Sequence, residues 1–249
     1  MILSVLTYNI HKGFSSNNRQ FVLHRIREQL RELDIDAALL QEVIGEHLSH
    51  ANSIDDWPET SHFEFLADQV WPHYAYGKNA IADRRHHGNA ILSKYPFSQW
   101  NNINVSPFKR ASGSLLNGNI NIPDLDKTIH LVNLHLGLLG MERRKQLAQL
   151  NKHLESVIQE NDAVIIGGDF NDWSGKQVSR LLNTDFGFQE AFFTSNKCFA
   201  RTFPARWPLF CMDRIYFRGM ELESCTRLSG KGWQDFSDHI PLLARFNIT

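Results

Sequence analysis

The stretch VIIGGDFNDW, residues 164 to 173, sets an apolar run of strand character against two glycines and then Asp169, Asn171 and Asp172. Gly, Asp and Asn tolerate a tight reversal, so one reading is a turn at the end of a core strand. A second reading is chemical. Residues at i and i+2 leaving a strand project to the same face, so Asp169 and Asn171 can hold one water or one phosphate oxygen between them. The glycines before them let backbone and substrate approach closely. The surrounding sequence weighs these two readings against each other.

Working outward, LSVLTYNI (3 to 10) alternates two mostly apolar sets, as expected of a strand covered on both faces. FVLHRIREQLRELD (21 to 34) places Val22, Ile26, Leu30 and Leu33 on one helical stripe, and DAALLQEV (36 to 43) reads as the next buried strand. Beyond a polar loop at SIDDWPETSH, the pattern predicts a short helix over 63–71. Strands follow over 88–96, 98–106, 114–123 and 128–136, mostly antiparallel. A helix over 142–160, with Leu147, Leu150, Leu154 and Val157 on one face, feeds the opening stretch. A short helix near 176–183 and strands over 213–219 and 240–246 complete the chain. Strand, helix and strand thus occur twice, which predicts an α/β (α+β) fold of two facing mixed sheets with helices outside, a four-layer α/β/β/α sandwich. No linker composition divides residues 1–249, so one domain is expected.

The formal net charge is −1, so the whole molecule offers no electrostatic footprint for nucleic acid, although a local basic patch remains compatible with it. Three cysteines without a C-x-x-C pair, Cys198, Cys211 and Cys225, suit a reducing compartment and disfavour structural zinc. MILSVLTYNIHKG enters a strand pattern with no leader character, and no apolar run reaches 18 residues. A cytoplasmic location, with no transmembrane segment and no obligate protein partner, is the expectation.

Five strand ends carry polar side chains that packing does not require: Asn9 interrupts the first strand, Glu42 ends the second, His135 ends LVNLHL, Asp169 and Asn171 follow VIIGG, and Asp238 with His239 precede the last strand. Individually these read as a bonded core amide, a surface ion pair, a core histidine, a turn and a helix cap. One polyvalent site explains all of them together. Oxygen donors from Glu42, Asn9 and Asp238 suit a hard cation, Mg²⁺ or Mn²⁺, that engages substrate phosphate. Asp169 with Asn171 can orient and deprotonate water, and two histidines can bind oxygens on which charge develops.

The ordered set TYNIH (7–11), LLQEV (39–43), GNAILSKYP (88–96), NLHLG (133–137), GGDFN (167–171), MDRIYF (212–217) and SDHIPL (237–242) resembles the endonuclease/exonuclease/phosphatase superfamily over the whole chain. The resemblance implies a divalent-metal-dependent hydrolase of phosphodiesters or phosphomonoesters, with Mg²⁺ (Mn²⁺ as the alternative) held by Glu42 near Asn9 and Asp238. It implies that Asp169 activates the water and Asn171 helps hold it. His239 would contact phosphate, Asp213 would orient His239, and His135 would contact phosphate or assist the leaving oxygen. Arg110 and Asn89 would bind phosphate. The chain departs from exonuclease III-type members by carrying His11 where they have an acidic residue, and Lys12 is read as solvent-facing.

The substrate stays open between nucleic acid and a lipid or inositol-phosphate head group. ADRRHHG (82–88), ERRKQ (142–146) and FARTFPARWPLF (199–210) are candidates for a basic, aromatic groove, with ERRKQ also readable as a solvated helix face. Phe203, Trp207, Leu209 and Phe210 could instead form an apolar rim. A binding module that kept the fold without the chemistry is the non-enzyme reading.

Overall fold

The computed structural model describes residues 1–82, 85–106, 113–123, 125, 127–159, 162–173, 178, 182, 186–230 and 232–248. Arg110, Asp83, Arg84 and all but two residues of the expected helix near 176–183 lie outside the described residues.

Two six-stranded sheets face each other. The first contains β1 (Ile2–Asn9), β2 (Ala37–His47), β3 (His73–Ala82), β4 (Arg85–Ser93), β11 (Glu221–Arg227) and β12 (Leu242–Asn247), in the order β11-β12-β1-β2-β4-β3. The second contains β5 (Phe97–Asn104), β6 (Ser114–Ile122), β7 (Lys127–His135), β8 (Ala163–Asp169), β9 (Gln189–Glu190) and β10 (Asp213–Arg218), in the order β5-β6-β7-β8-β10-β9. Each sheet has a parallel pair, β1 with β2 and β7 with β8, among antiparallel neighbours. Helix α1 (Leu23–Glu32) makes the first crossover and helix α2 (Gly140–Val157) the second. The sandwich is therefore built from two similarly wired halves.

Strand alternation explains the layering. Leu3 and Val5 of β1 pack between the sheets with Leu39, Ile165 and Ile215, while Leu6, Tyr8 and Ile10 face outward onto Ile26 and Leu30 of α1. Across the molecule, Val132, Leu134, Val164 and Ile166 pack outward onto Leu147, Leu150 and Leu154 of α2. The glycine pair of the opening stretch leaves no room for a side chain, Gly167 against the other sheet and Gly168 against the neighbouring strand β7. A Cβ on Gly167 would stand 2.6 Å from Leu39 Cδ1 of the other sheet, and one on Gly168 would overlap the Leu134 carbonyl oxygen.

Towards the strand ends the apolar layer gives way to buried amides. Gln41 Nε2 donates to Asn133 Oδ1 (2.7 Å) and to Thr7 Oγ1 (3.2 Å). Asn133 Nδ2 donates to the Leu40 and Ala90 carbonyls, both at 2.8 Å, so this residue of the second sheet satisfies backbone of the first. Asn89 Nδ2 reaches the Ser114 carbonyl at 3.1 Å. These bonds fix the sheets laterally just beneath the polar strand ends.

The expected helix over 63–71 is the shorter segment His62–Ala67, started by a reciprocal Ser61–Glu64 capping box. Strands β3 and β11 are edge strands that the apolar pattern did not announce, because half-exposed edges carry polar residues. No described helix is long and apolar enough to cross a membrane.

Candidate active site

Strand register builds the site from both sheets. On the second sheet, His135 of β7 is opposite Asp169 of β8, which is opposite Asp213 of β10, so three chemical side chains form one row across adjacent strands. On the first sheet, Asn9 pairs with Gln41. The register of β2 against β4 then runs Leu40↔Ala90 and Val43↔Gly88, leaving Gln41 and Glu42 opposite the single residue Asn89. This is a β-bulge, and Glu42 within it has a left-handed backbone, φ 55°. The bulge turns the Glu42 carboxylate out of the sheet's alternation and toward Asn9.

Asp238 and His239 arrive on the loop before β12. Ser237 Oγ anchors that loop by donating to the Asn9 carbonyl (2.7 Å) and accepting from the His239 amide (3.1 Å). On its other side the Ala205 amide donates to the Asp238 carbonyl at 2.7 Å. The first and last strands of the first sheet thereby deliver residues from opposite ends of the sequence to one place.

Asp169 lies at the centre and is buried. Its Oδ1 accepts from the Asn171 amide at 3.0 Å, and its Oδ2 accepts from Asn9 Nδ2 at 3.2 Å. His135 Nε2 and His239 Nε2 stand 3.4 and 3.7 Å from Oδ2. His239 Nδ1 meets Asp213 Oδ2 at 2.8 Å. Asn171, itself left-handed at φ 47°, donates its side-chain amide to the Leu136 carbonyl at 2.9 Å, so the strained turn is fixed to the end of β7.

The electrostatics separate the two carboxylates and the imidazole. Burial opposes charge on Glu42, but His135 and Lys12 outweigh it and hold the pKa down to about 2. Burial raises the pKa of Asp169, against the pull of His239 and His135. For His239, burial is outweighed by Asp213 and Asp169, which push it up to about 10. The geometry thus offers an ionised Glu42, a more basic carboxylate at Asp169 and a cationic His239.

Among the candidates, Asn9, Glu42, His135, Asp169, Asn171, Asp213 and His239 converge, and Asp238 lines the same cavity, its Oδ1 3.7 Å from His11 Nδ1. Asn89 lies one layer below, among the inter-sheet amides. Lys12, expected to face solvent, places Nζ 2.7 Å from Glu42 Oε2, because His11 and Lys12 adopt consecutive left-handed conformations, φ 46° and 57°, that fold the chain back over the bulge. Sequence reasoning took His87 only as part of the ADRRHHG groove candidate and not as a site residue. It lines the cavity, and burial, with the Lys12 charge, lowers its pKa to about 4. Its partner in β4 register, Ile44, lies just past the Glu42 bulge, which sequence alone does not display.

The donor set suits a hard divalent cation. Glu42 is held ionised, its Oε2 accepting from the Lys12 ammonium at 2.7 Å, so a carboxylate already paired with one cation faces the site. Ligating atoms of Asp169, Asp213 and His239 also lie within 4.8 Å of one another, and Asp213 Oδ1 is buried without a hydrogen-bond partner. Asn9 as placed turns its oxygen to the His11 amide (3.0 Å) and its NH₂ to Glu42 and Asp169, bracing both carboxylates. The cavity in front of these groups has a volume of about 520 Å³ and is walled by Leu138 and Leu139 on one side and Trp173 and Phe203 on the other.

Comparison with known proteins shows the family and the fold. The protein YbhP of Escherichia coli (strain K12) is 40% identical over 244 residues, covering 98% of this chain and 96% of YbhP. An endonuclease/exonuclease/phosphatase from Beutenbergia cavernae has the same fold, with a TM-score of 0.81 at 17% identity over 99% of this chain and 72% of its own. The mannosyl-6-phosphatase Bt3783 of Bacteroides thetaiotaomicron matches with a TM-score of 0.74 at 16% identity, over 99% of this chain and 100% of its own. Residues 6–239 match the model of the Endonuclease/Exonuclease/phosphatase family, and the chain belongs to that family.

Proposed function

We propose that the protein is a divalent-metal-dependent hydrolase of phosphoester bonds, acting in the cytoplasm as a single catalytic domain over residues 1–249. The observation that carries this reading is the placement of Asp169 Oδ2 within 3.2 to 3.7 Å of Asn9, His135 and His239, beside an ionised Glu42. Membership of a family that includes phosphatases supports it.

Glu42, with Asn9 and Asp238 nearby, would hold Mg²⁺ or Mn²⁺. Such a cation supplies charge that polarises the phosphoryl group. The remaining work falls to the chain. Asp169, buried and made more basic, takes the proton of the attacking water. The Asn171 and Asn9 amides fix the Asp169 carboxylate, which lines the cavity. His239, kept cationic by Asp213, donates through Nε2 to a non-bridging phosphate oxygen, where charge grows as the nucleophile arrives in line. His135, on the other flank of Asp169, is placed to serve the leaving oxygen.

The test is turnover of bis-p-nitrophenyl phosphate and of the corresponding monoester by purified protein, with Mg²⁺, with Mn²⁺ and after chelation, beside Asp169→Asn. Metal-dependent hydrolysis that the substitution lowers at least about a hundredfold is expected. Turnover that survives chelation, or an unaltered Asp169→Asn enzyme, would overturn the mechanism. Metal binding without turnover of any phosphoester would return the protein to the binding-module reading.

A further inference from the structure

The mouth of the cavity is bordered by apolar side chains that a small water-soluble phosphoester does not need. On one side, the loop after β7 leads from Leu136 and Leu138 into the start of α2, with Leu138, Leu139 and Met141 exposed at 64%, 66% and 64%. On the other, residues 203–210 form a tight loop, closed by hydrogen bonds from the Leu209 and Phe210 amides to the Phe203 carbonyl. Phe203 lines the cavity and packs 4.9 Å from His239, ring to ring, while Trp207 and Leu209 stand out at 78% and 61% exposure. Phe210 bridges back to Trp173 of the opening stretch, with ring centroids 4.6 Å apart.

Large aliphatic and aromatic residues at such exposure are costly in water, and clustering around a site's entrance marks a contact surface. The chemistry of the side chains distinguishes the partner. A platform for single-stranded nucleic acid is aromatic and tracks a cationic groove, since bases stack on π-faces. Here three of the protruding residues on one side are aliphatic and have no π-face. One of the three stretches offered for a polyanion, ERRKQ, is also partly withdrawn, because Arg143 is buried with Nη1 on the Gly137 and Leu138 carbonyls (3.1 and 2.6 Å), where it holds the apolar loop in shape. Trp with Leu and Met is the composition that enters the boundary between head groups and acyl chains. Arg144, exposed and one helical turn beyond Met141, suits anionic head groups at the same level.

We infer that the two apolar loops seat the protein on a phospholipid surface, presenting head-group phosphoesters to the cavity between them. The inference rests on the phosphoesterase reading for its substrate, but the seating itself is measurable without turnover.

The experiment mixes the full chain with vesicles of phosphatidylethanolamine and phosphatidylglycerol and measures co-sedimentation, with Met141→Ser/Trp207→Ser/Leu209→Ser beside wild type. Wild type should partition onto the vesicles and the triple variant should lose at least about tenfold. Unchanged thermal unfolding of the variant shows that folding is not the cause. A second measurement needs no destabilising change: brominated acyl chains should quench wild-type tryptophan fluorescence, and Trp207→Phe should remove part of that quenching. Absence of vesicle binding by wild type, or equal binding by the triple variant, would overturn the inference. So would oligothymidylate binding that the triple variant loses while vesicles are ignored. Seating on vesicles with no hydrolysis of any phosphoester would leave the surface assignment standing and remove the phosphoesterase reading instead.

Discussion

Asp213 Oδ2 lies 2.8 Å from His239 Nδ1, both residues buried, and the strand register sets Asp213 directly opposite Asp169. In the proposed mechanism one carboxylate orients and charges the imidazole while its neighbour takes the water's proton. Asp213→Asn keeps the shape and removes the charge. In the proposed reaction it should lower kcat by about 10- to 100-fold while KM moves little, read from steady-state kinetics on bis-p-nitrophenyl phosphate. A change confined to KM would show that Asp213 serves binding and not the positioning of His239.

Asn133 is fully buried and serves three partners across the sheet interface: the Leu40 and Ala90 carbonyls and Gln41 Nε2. Asn133→Ala removes the side-chain donor from the Leu40 and Ala90 carbonyls and leaves Gln41 Nε2 with only Thr7 Oγ1 and the Leu39 carbonyl. The expected loss is about 3 kcal/mol of stability, equivalent to a fall in Tm of roughly 6 to 12 °C for a chain of this size. Thermal unfolding followed by circular dichroism measures it. A Tm within about 2 °C of wild type would mean that the amide layer does not couple the sheets.

Gly168 has φ 152° and its missing Cβ points into the Leu134 carbonyl, whereas Gly187, at φ 68°, has nothing within 4 Å of that position. The pair separates backbone strain from steric exclusion. Gly187→Ala should cost only about 1 kcal/mol, for its conformation. Gly168→Ala must displace β8 from β7 and should prevent accumulation of folded protein. Equal soluble yield and Tm for the two variants would contradict the close approach of these strands.

Glu190 is buried at the start of the short helix Ala191–Asn196, its Oε2 accepting from the Phe193 amide at 2.5 Å. Burial raises its pKa to about 7 from the usual 4.5. Between those values the folded chain holds a proton that the unfolded chain has released, so this residue's contribution to stability declines as pH rises from about 4.5 to 7. Glu190→Gln keeps the accepting oxygen without the charge. The variant should therefore be the more stable protein at pH 8, by about 2 to 3 kcal/mol, with the advantage vanishing near pH 4. Parallel pH profiles of Tm for the two proteins would refute the assignment.

Much of this site was visible in the chain because strands that end at a chemical centre stop their apolar alternation abruptly. Asn9, Glu42, His135 and Asp169 could each be picked out in that way, and the two-sided apolar character of residues 3–10 marked a strand covered on both faces, which the second sheet and helix α1 provide. What escaped depends on contacts that no local pattern encodes. Lys12 reaches Glu42 where two consecutive residues adopt left-handed conformations, and His87 lines the cavity from β4, pairing with Ile44 just past the bulge in β2. Arg143 looked like part of a solvated face, yet it turns inward onto the Gly137 and Leu138 carbonyls. Strands β3 and β11 were hidden by their position at sheet edges.

The pairing of β1 with β12, from Ile2↔Asn247 to Thr7↔Leu242, has a consequence for the order of events during synthesis. The second sheet draws its strands from residues 97–218, a contiguous stretch that can assemble as it emerges. The first sheet must wait, its opening strand lacking one neighbour until residues 242–247 appear. His239 comes with that same final segment. A nascent chain would thus carry Asp169 and His135 already aligned while lacking the cation proposed to meet the phosphate. The chemistry would switch on only when the last strand closes against the first.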